Sequence, residues 1–201
     1  MNAFYENLKL KLGVDNFKKI QHVRIGIAGL GGLGSNCAAS LVRAGFVKFT
    51  LVDFDVIDHS NLDRQFYFSD QVGQDKTSAL VANLRRINPD IDIKAIKIKV
   101  DKSNIEELFK DCSIVAECFD KAENKSMLAG ELIKLSKFTV SVSGVGGVGA
   151  SDDIKISRIK ENFVLIGDLK SDISSKPAIS PRVNIAAAKQ ADVILEHVLK
   201  G

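Results

Sequence analysis

Apolar positions along this chain fall into short unbroken runs separated by stretches of helical spacing. VRIGIAG (23–29), VKFTLVDFD (47–55), CSIVAECF (112–119) and FTVSVSG (138–144) are runs of strand length, and each predicts a buried strand. IDIKAIKIKV (91–100) alternates strictly, which predicts a strand with one wet face. Helical spacing runs through SNCAASLVRAG (35–45), which stops at Gly45, and DKTSALVANLRRIN (75–88), which stops before Pro89. It recurs in AENKSMLAGELIKLS (122–136) and RVNIAAAKQADVILEHVL (182–199). Residues 6–21 predict a leading helical region broken near Gly13, and NIEELFK (104–110) a short helix. DIKISRI (153–159) and NFVLIG (162–167) read as a strand pair, and 168–181 as the one long loop. Strands that alternate with helices imply α/β architecture. The expected fold is a doubly wound, mostly parallel Rossmann-like sheet with an antiparallel C-terminal strand pair, in a single domain over residues 1–201.

Composition changes this picture little. Hydrophobic residues make up 45% and charged residues 26%, an ordinary profile for a folded domain. A net charge of +3 is too small to argue for nucleic acid. No apolar run reaches the roughly 18 residues of a membrane helix. The N-terminus has no apolar signal core, so no membrane association and a cytoplasmic location are expected. Cys37, Cys112 and Cys118 form no C-x-x-C pair, so no zinc is expected.

Two stretches match G-x-G-G-x-G: GLGGLG at 29–34 and GVGGVG at 144–149. Such a loop binds phosphate only where a strand delivers it and a helix N-terminus follows. Free N–H groups and the positive helix end then face the anion. The first loop has that context. Asp53 follows Gly34 by 19 residues, the place of a ribose-binding acid. The second loop leads into ASDDIKISRI, which is strand-like and opens with aspartates that repel phosphate. One nucleotide is expected, on the first loop.

The glycines alone do not separate NAD from ATP. The segment after Asp53 gathers Asn61, Arg64, Gln65 and Lys76, each a donor suited to phosphate oxygens, and such charge suits a triphosphate. Three features stand in order: D-F-D-x-x-x-x-S-N-L-x-R-Q from Asp53, G-x-x-K at Gly73–Lys76, and R-I-N-P at 86–89. With C-F-D-K at Cys118–Lys121, this series resembles the ThiF/MoeB/HesA adenylating enzymes, relatives of the ubiquitin-activating enzymes. The resemblance is strong over about 20–145 and looser in the last helix. The short length and Ser180-Pro181-Arg182-Val183 look most like the compact ThiF branch.

The resemblance implies that Gly29, Gly31, Gly32 and Gly34 cradle ATP. Asp53 would bind ribose with Asp55 close by, while Asn61, Arg64, Gln65 and Lys76 face the triphosphate and Asp120 holds Mg²⁺. It implies adenylation of a ubiquitin-like sulfur carrier ending in Gly-Gly, ThiS in thiamine biosynthesis, by a homodimer. Arg64, Lys76 and Asp120 would carry the chemistry. An alternative is another β-grasp carrier of the molybdopterin type, and a further one an NAD-dependent Rossmann oxidoreductase or sensor. Lys121 stands where the family has asparagine, and loop 168–181 lacks the cysteine some relatives carry. Adenylation without a covalent cysteine intermediate is therefore expected. The second glycine loop is expected to border the path of the carrier tail.

Overall fold

In the computed structural model, residues 3–172 and 175–200 are described. The chain opens with α1 (Ala3–Leu12) and α2 (Val14–His22), hinged at Gly13 with φ +80°. Then follow β1 (Arg24–Ala28), α3 (Gly32–Ala44), β2 (Lys48–Asp53), α4 (Lys76–Ile87) and β3 (Asp92–Lys97). The second half holds α5 (Ile105–Phe109), β4 (Ile114–Glu117), α6 (Ala122–Lys134) and β5 (Phe138–Val142). It closes with β6 (Lys155–Lys160), β7 (Phe163–Gly167) and α7 (Ser180–Lys200).

All seven strands join one sheet in the order β3-β2-β1-β4-β5-β7-β6. Every pairing is parallel except β6 with β7. The sheet is therefore doubly wound and mostly parallel, with an antiparallel pair near the C-terminus. Its strand order reverses between β1 and β4, where open α/β sheets collect ligands beyond the carboxyl ends of the strands.

Each face has its own core, which explains why the inner strands are apolar without alternation. On one face α3, α4 and α7 bury Leu41, Val42, Leu80, Leu84 and Ile194 against Ile25, Ile27 and Phe49. On the other, α5 and α6 bury Ile105, Phe109, Leu128 and Leu132 against Val52 and Val115. Gly45 ends α3 in the left-handed region with φ +106°, as its position in the pattern predicts.

Three boundaries differ from expectation. Helix α3 begins at Gly32, inside the glycine motif. Helix α7 begins at Ser180, because Pro181 is tolerated in a first turn. Strand β3 ends at Lys97 and is mostly exposed, since it is an edge. Both edges carry lysines or arginine, which blunt pairing with other chains. Part of the predicted 168–181 loop, residues 173–174, lies outside the described residues.

Candidate active site

The first glycine loop leaves β1 at the switch point. Gly29 takes φ +89°, a conformation that L side chains rarely adopt. A Cβ there would lie 2.9 Å from the Cys118 carbonyl oxygen, so the loop passes directly over the end of β4. Gly31 caps α3, and Gly32 lies beside Val183 and Arg64. Gly34 differs from the others. It sits buried in the first turn of α3, where a Cβ would come within 1.9 Å of the Gly29 carbonyl oxygen. Its lack of a side chain is required by the closeness of helix to loop.

Asp53, at the end of β2, is 7% exposed. One oxygen accepts the Leu30 N–H at 2.6 Å and the other the Asp55 N–H at 2.8 Å. The carboxylate thus ties the glycine turn to β2. A carboxylate offers about four lone-pair sites, so acceptor capacity remains for a hydroxyl.

Segment 64–66 is bound to the start of α3. Asn36 donates to the Arg64 carbonyl at 2.9 Å and the Ser35 hydroxyl accepts the Phe66 N–H at 2.9 Å. The Gln65 amide nitrogen lies 3.8 Å from the place of a Gly31 Cβ, and its buried Oε1 has no hydrogen-bond partner. An orphaned amide beside a glycine loop fits a site whose polar partner is a ligand. Arg64 donates to the Ser60 carbonyl at 2.9 Å and to Asp63 at 2.6 Å. Asn61 is committed in part: its Oδ1 accepts the Asp58 N–H at 3.1 Å in a capping box. Lys76 opens α4 with its ammonium 2.9 Å from Asp55 Oδ2, and its side chain is 7% exposed. Asp55 therefore faces Lys76 as well as flanking Asp53.

Asp120 follows β4 on the turn that packs against Gly29. It is exposed, and among the described residues its carboxylate makes no hydrogen bond or ion pair. It does not cap the next helix: α6 is capped at Lys121 with no side-chain bond. Asp53, Arg64 and Gln65 adjoin the glycine loop, and Lys76 joins them through Asp55. Asp120 joins them through the backbone of its turn.

Sequence patterns missed two kinds of residue here. Tyr67 is 5% exposed and donates to the Leu30 carbonyl at 2.8 Å, linking the loop to the segment before α4. Burial, with Asp53 and Asp55 nearby, pushes its hydroxyl pKa upward. Phe54 and Ile98 are apolar yet 53% and 40% exposed, at the carboxyl ends of β2 and β3. The Ile98 N–H donates to the Asp53 carbonyl and Phe54 follows Asp53 in the chain, so both stand beside that acid. Their exposure and their meeting at Asp53 are products of the fold and leave no signal in the sequence.

The cysteines are unsuited to nucleophilic work. All three are buried. Burial raises the Cys37 thiol to about 12 and raises Cys112 and Cys118 as well, whereas a reactive thiol needs a lowered value. His197 stacks on Phe138 at the opposite end of the sheet, with ring centroids 3.6 Å apart. Changing Cys37, Cys112 and Cys118 together to alanine is expected to lower the melting temperature but leave activity per folded molecule within about threefold, a negligible barrier change. A well-folded triple variant without activity would overturn this.

The second glycine loop has a structural account. A Cβ on Gly144 would meet Asp168 Oδ1 at 2.1 Å, and one on Gly146 the Lys176 carbonyl at 2.4 Å. Gly147 donates its N–H to the Pro177 carbonyl at 3.0 Å, so this loop is closed on residues 168, 176 and 177. Arg182, 5% exposed, donates to the Gly149 and Ala150 carbonyls and to Asp168 Oδ2 at 2.6 Å. Val148 stands outside this packing at 86% exposure.

With this geometry in place, likeness to known proteins can be stated. The chain is 34% identical over 132 residues to the sulfur carrier protein ThiS adenylyltransferase of Bacillus subtilis, covering 64% of this chain and 39% of that one. It is 39% identical over 87 residues to the ubiquitin-like modifier-activating enzyme 5 of Oryza sativa, covering 43% of this chain and 21% of that one. Alignments with the curated relatives span 20–39% of their length. In fold it is similar to E. coli tRNA N6-threonylcarbamoyladenosine dehydratase, TcdA, in complex with ATP, with TM-score 0.83 and 20% identity. That likeness covers 98% of this chain and 92% of the other. Residues 5–151, which hold the glycine loop, Asp53, Arg64, Lys76 and Asp120, match the ThiF family, and the chain belongs to it.

Proposed function

We propose that this chain adenylates the C-terminal glycine carboxylate of a ubiquitin-like sulfur carrier, ThiS-type, in thiamine biosynthesis. The observation that carries this reading is the seam between α3 and segment 64–66. It holds Arg64 and Gln65 beside the glycine loop, with Lys76 at the start of the next helix. A dinucleotide needs one helix end for its pyrophosphate. The added cation and amide suit the longer, more charged tail of ATP. Asp53 would take the ribose, and the exposed Phe54 and Ile98 the adenine.

The carrier's terminal carboxylate titrates near 3.5 and is ionised at neutral pH, so no general base is required. One carboxylate oxygen forms a bond to the α-phosphorus of ATP. The bond from that phosphorus to the bridging oxygen breaks, and pyrophosphate leaves with the electron pair. Arg64 and Lys76 offset charge on the phosphate oxygens, and the loop N–H groups orient them. Among the described residues no group of three or more His, Cys, Asp or Glu forms a metal cage. The single unpaired carboxylate of Asp120 fits Mg²⁺, which is commonly held by one or two carboxylates plus substrate phosphates. Bound there, the ion would offset phosphate charge. The exposed Val148 tip of the second glycine loop would border the carrier tail, and the enzyme would work as a homodimer.

A thermal-shift comparison tests the nucleotide class. ATP with magnesium at 100 times its dissociation constant adds about 2.7 kcal/mol. For this chain length that raises the melting temperature by roughly 5–10 °C, with no shift from NAD or NADP. A shift with NAD alone would replace this reading with the oxidoreductase one. Pyrophosphate exchange with ThiS-type and molybdopterin-type carriers then assigns the partner, and exchange with the latter alone would move the assignment there.

A further inference from the structure

Glu117 is the last residue of β4, and its side chain is fully buried. Three donors converge on its carboxylate from three elements. The Phe119 N–H in the turn reaches Oε1 at 2.7 Å. The Lys125 ammonium, on α6, lies 3.3 Å from Oε1 and 3.1 Å from Oε2. The Ser141 hydroxyl, on β5, donates to Oε2. The Glu117 carbonyl accepts the Gln190 side-chain amide of α7 at 3.1 Å. Immediately downstream the Cys118 N–H donates to the Ala28 carbonyl at 2.9 Å.

A buried ion pair is weak evidence for stability, because desolvation offsets most of its attraction. What distinguishes this one is where its first bond goes. Glu117 holds the amide of Phe119, one residue before Asp120, on the turn packed against Gly29. Asp120 has no side-chain hydrogen bond or ion pair of its own among the described residues, so the backbone of this turn is what fixes where its carboxylate stands.

We propose that Glu117, anchored by Lys125 and Ser141, is the positioning residue that sets Asp120 against the nucleotide loop. This rests on the reading of Asp120 as the magnesium-side carboxylate. Glutamine at 117 keeps the volume but offers one acceptor oxygen in place of two. It removes the negative charge that faces the Lys125 ammonium and puts an NH2 donor where one acceptor oxygen stood, so the anchor is weakened.

The test is titration calorimetry of ATP with magnesium and with EDTA, beside the magnesium dependence of pyrophosphate exchange. In Glu117→Gln, ATP affinity in EDTA should stay within about twofold of the native value. The tightening that magnesium adds should fall at least fivefold, and half-saturating magnesium for exchange should rise about tenfold. The variant Glu117→Leu/Lys125→Met removes both charges without leaving one buried and alone, so its fold is kept while the anchor is lost. It should remain cooperatively folded, melting several degrees lower because the Phe119 N–H and Ser141 hydroxyl lose their acceptor, and show the same loss of magnesium coupling. Adding Asp120→Ala to Glu117→Gln should cost nothing beyond Asp120→Ala alone, since both act through one carboxylate. Native magnesium coupling in folded Glu117 variants, or additive losses, would overturn the proposal while leaving Asp120 in place. Native coupling in Asp120→Ala itself would overturn the reading beneath it.

Discussion

Replacing Asp120 by alanine is expected to lower carrier-dependent pyrophosphate exchange by about 10²–10³-fold, the scale of losing one pre-positioned electrostatic partner. Its melting temperature should stay within about 2 °C of the native chain. The reason for the separation is local. Asp120 is exposed, makes no side-chain hydrogen bond or ion pair among the described residues and does not cap α6. Surface substitutions without such contacts usually change stability by less than about 0.5 kcal/mol. The loss should lie in turnover at saturating ATP and should not be restored by raising the carrier concentration. Native exchange in this variant would remove Asp120 from the chemistry. A drop of many degrees in melting would assign it to the fold.

Arg182→Ala should produce the largest loss of stability, about 3–5 kcal/mol, as for breaking a buried pair by removing one partner. At this chain length that lowers melting by roughly 6–20 °C. The Arg182 side chain is 6% exposed and that of Asp168 12%. Truncation strands the Asp168 carboxylate and two backbone carbonyls that fasten the second glycine loop. Burial alone would raise the Asp168 pKa. The N–H groups of Ser171 and Lys170, with Arg182, outweigh it and hold the value below the ordinary range. A lowered folded-state pKa gives stability that is present above the unfolded value near 3.9. It fades as pH falls through the folded value. The stability gap between the native chain and Asp168→Asn should therefore be full at neutral pH and shrink below about pH 4. Arg182→Ala melting within 2 °C of native would show that the loop is held by its glycine packing alone.

The fold was legible because both faces of the sheet are covered. Burial on two sides turns strands into unbroken apolar runs, and helices into spaced ones, and each pattern is local in the sequence. The first glycine loop was legible for the same reason: strand, glycines, helix and Asp53 form one contiguous unit. The strand that follows the second glycine motif was legible in the same way, from the pattern at 153–159. Contacts between distant segments were not legible. The role of Gly34 depends on helix α3 starting at Gly32, so that the helix meets the Gly29 carbonyl. Lys76 reads as a phosphate donor, but the fold also sets it against Asp55. Arg182 reads as part of a family ending, and only the folded chain brings it to residues 149, 150 and 168. Glu117 reads as one polar residue at the end of a strand. Its three donors come from positions 119, 125 and 141, which meet once β4, α6 and β5 are packed. Sequence determined the elements and the first glycine loop because their signals are local periodicity and spacing. Tertiary structure decided which charges face one another, because pairing across a sheet depends on strand order and register, and neither is written in any one segment.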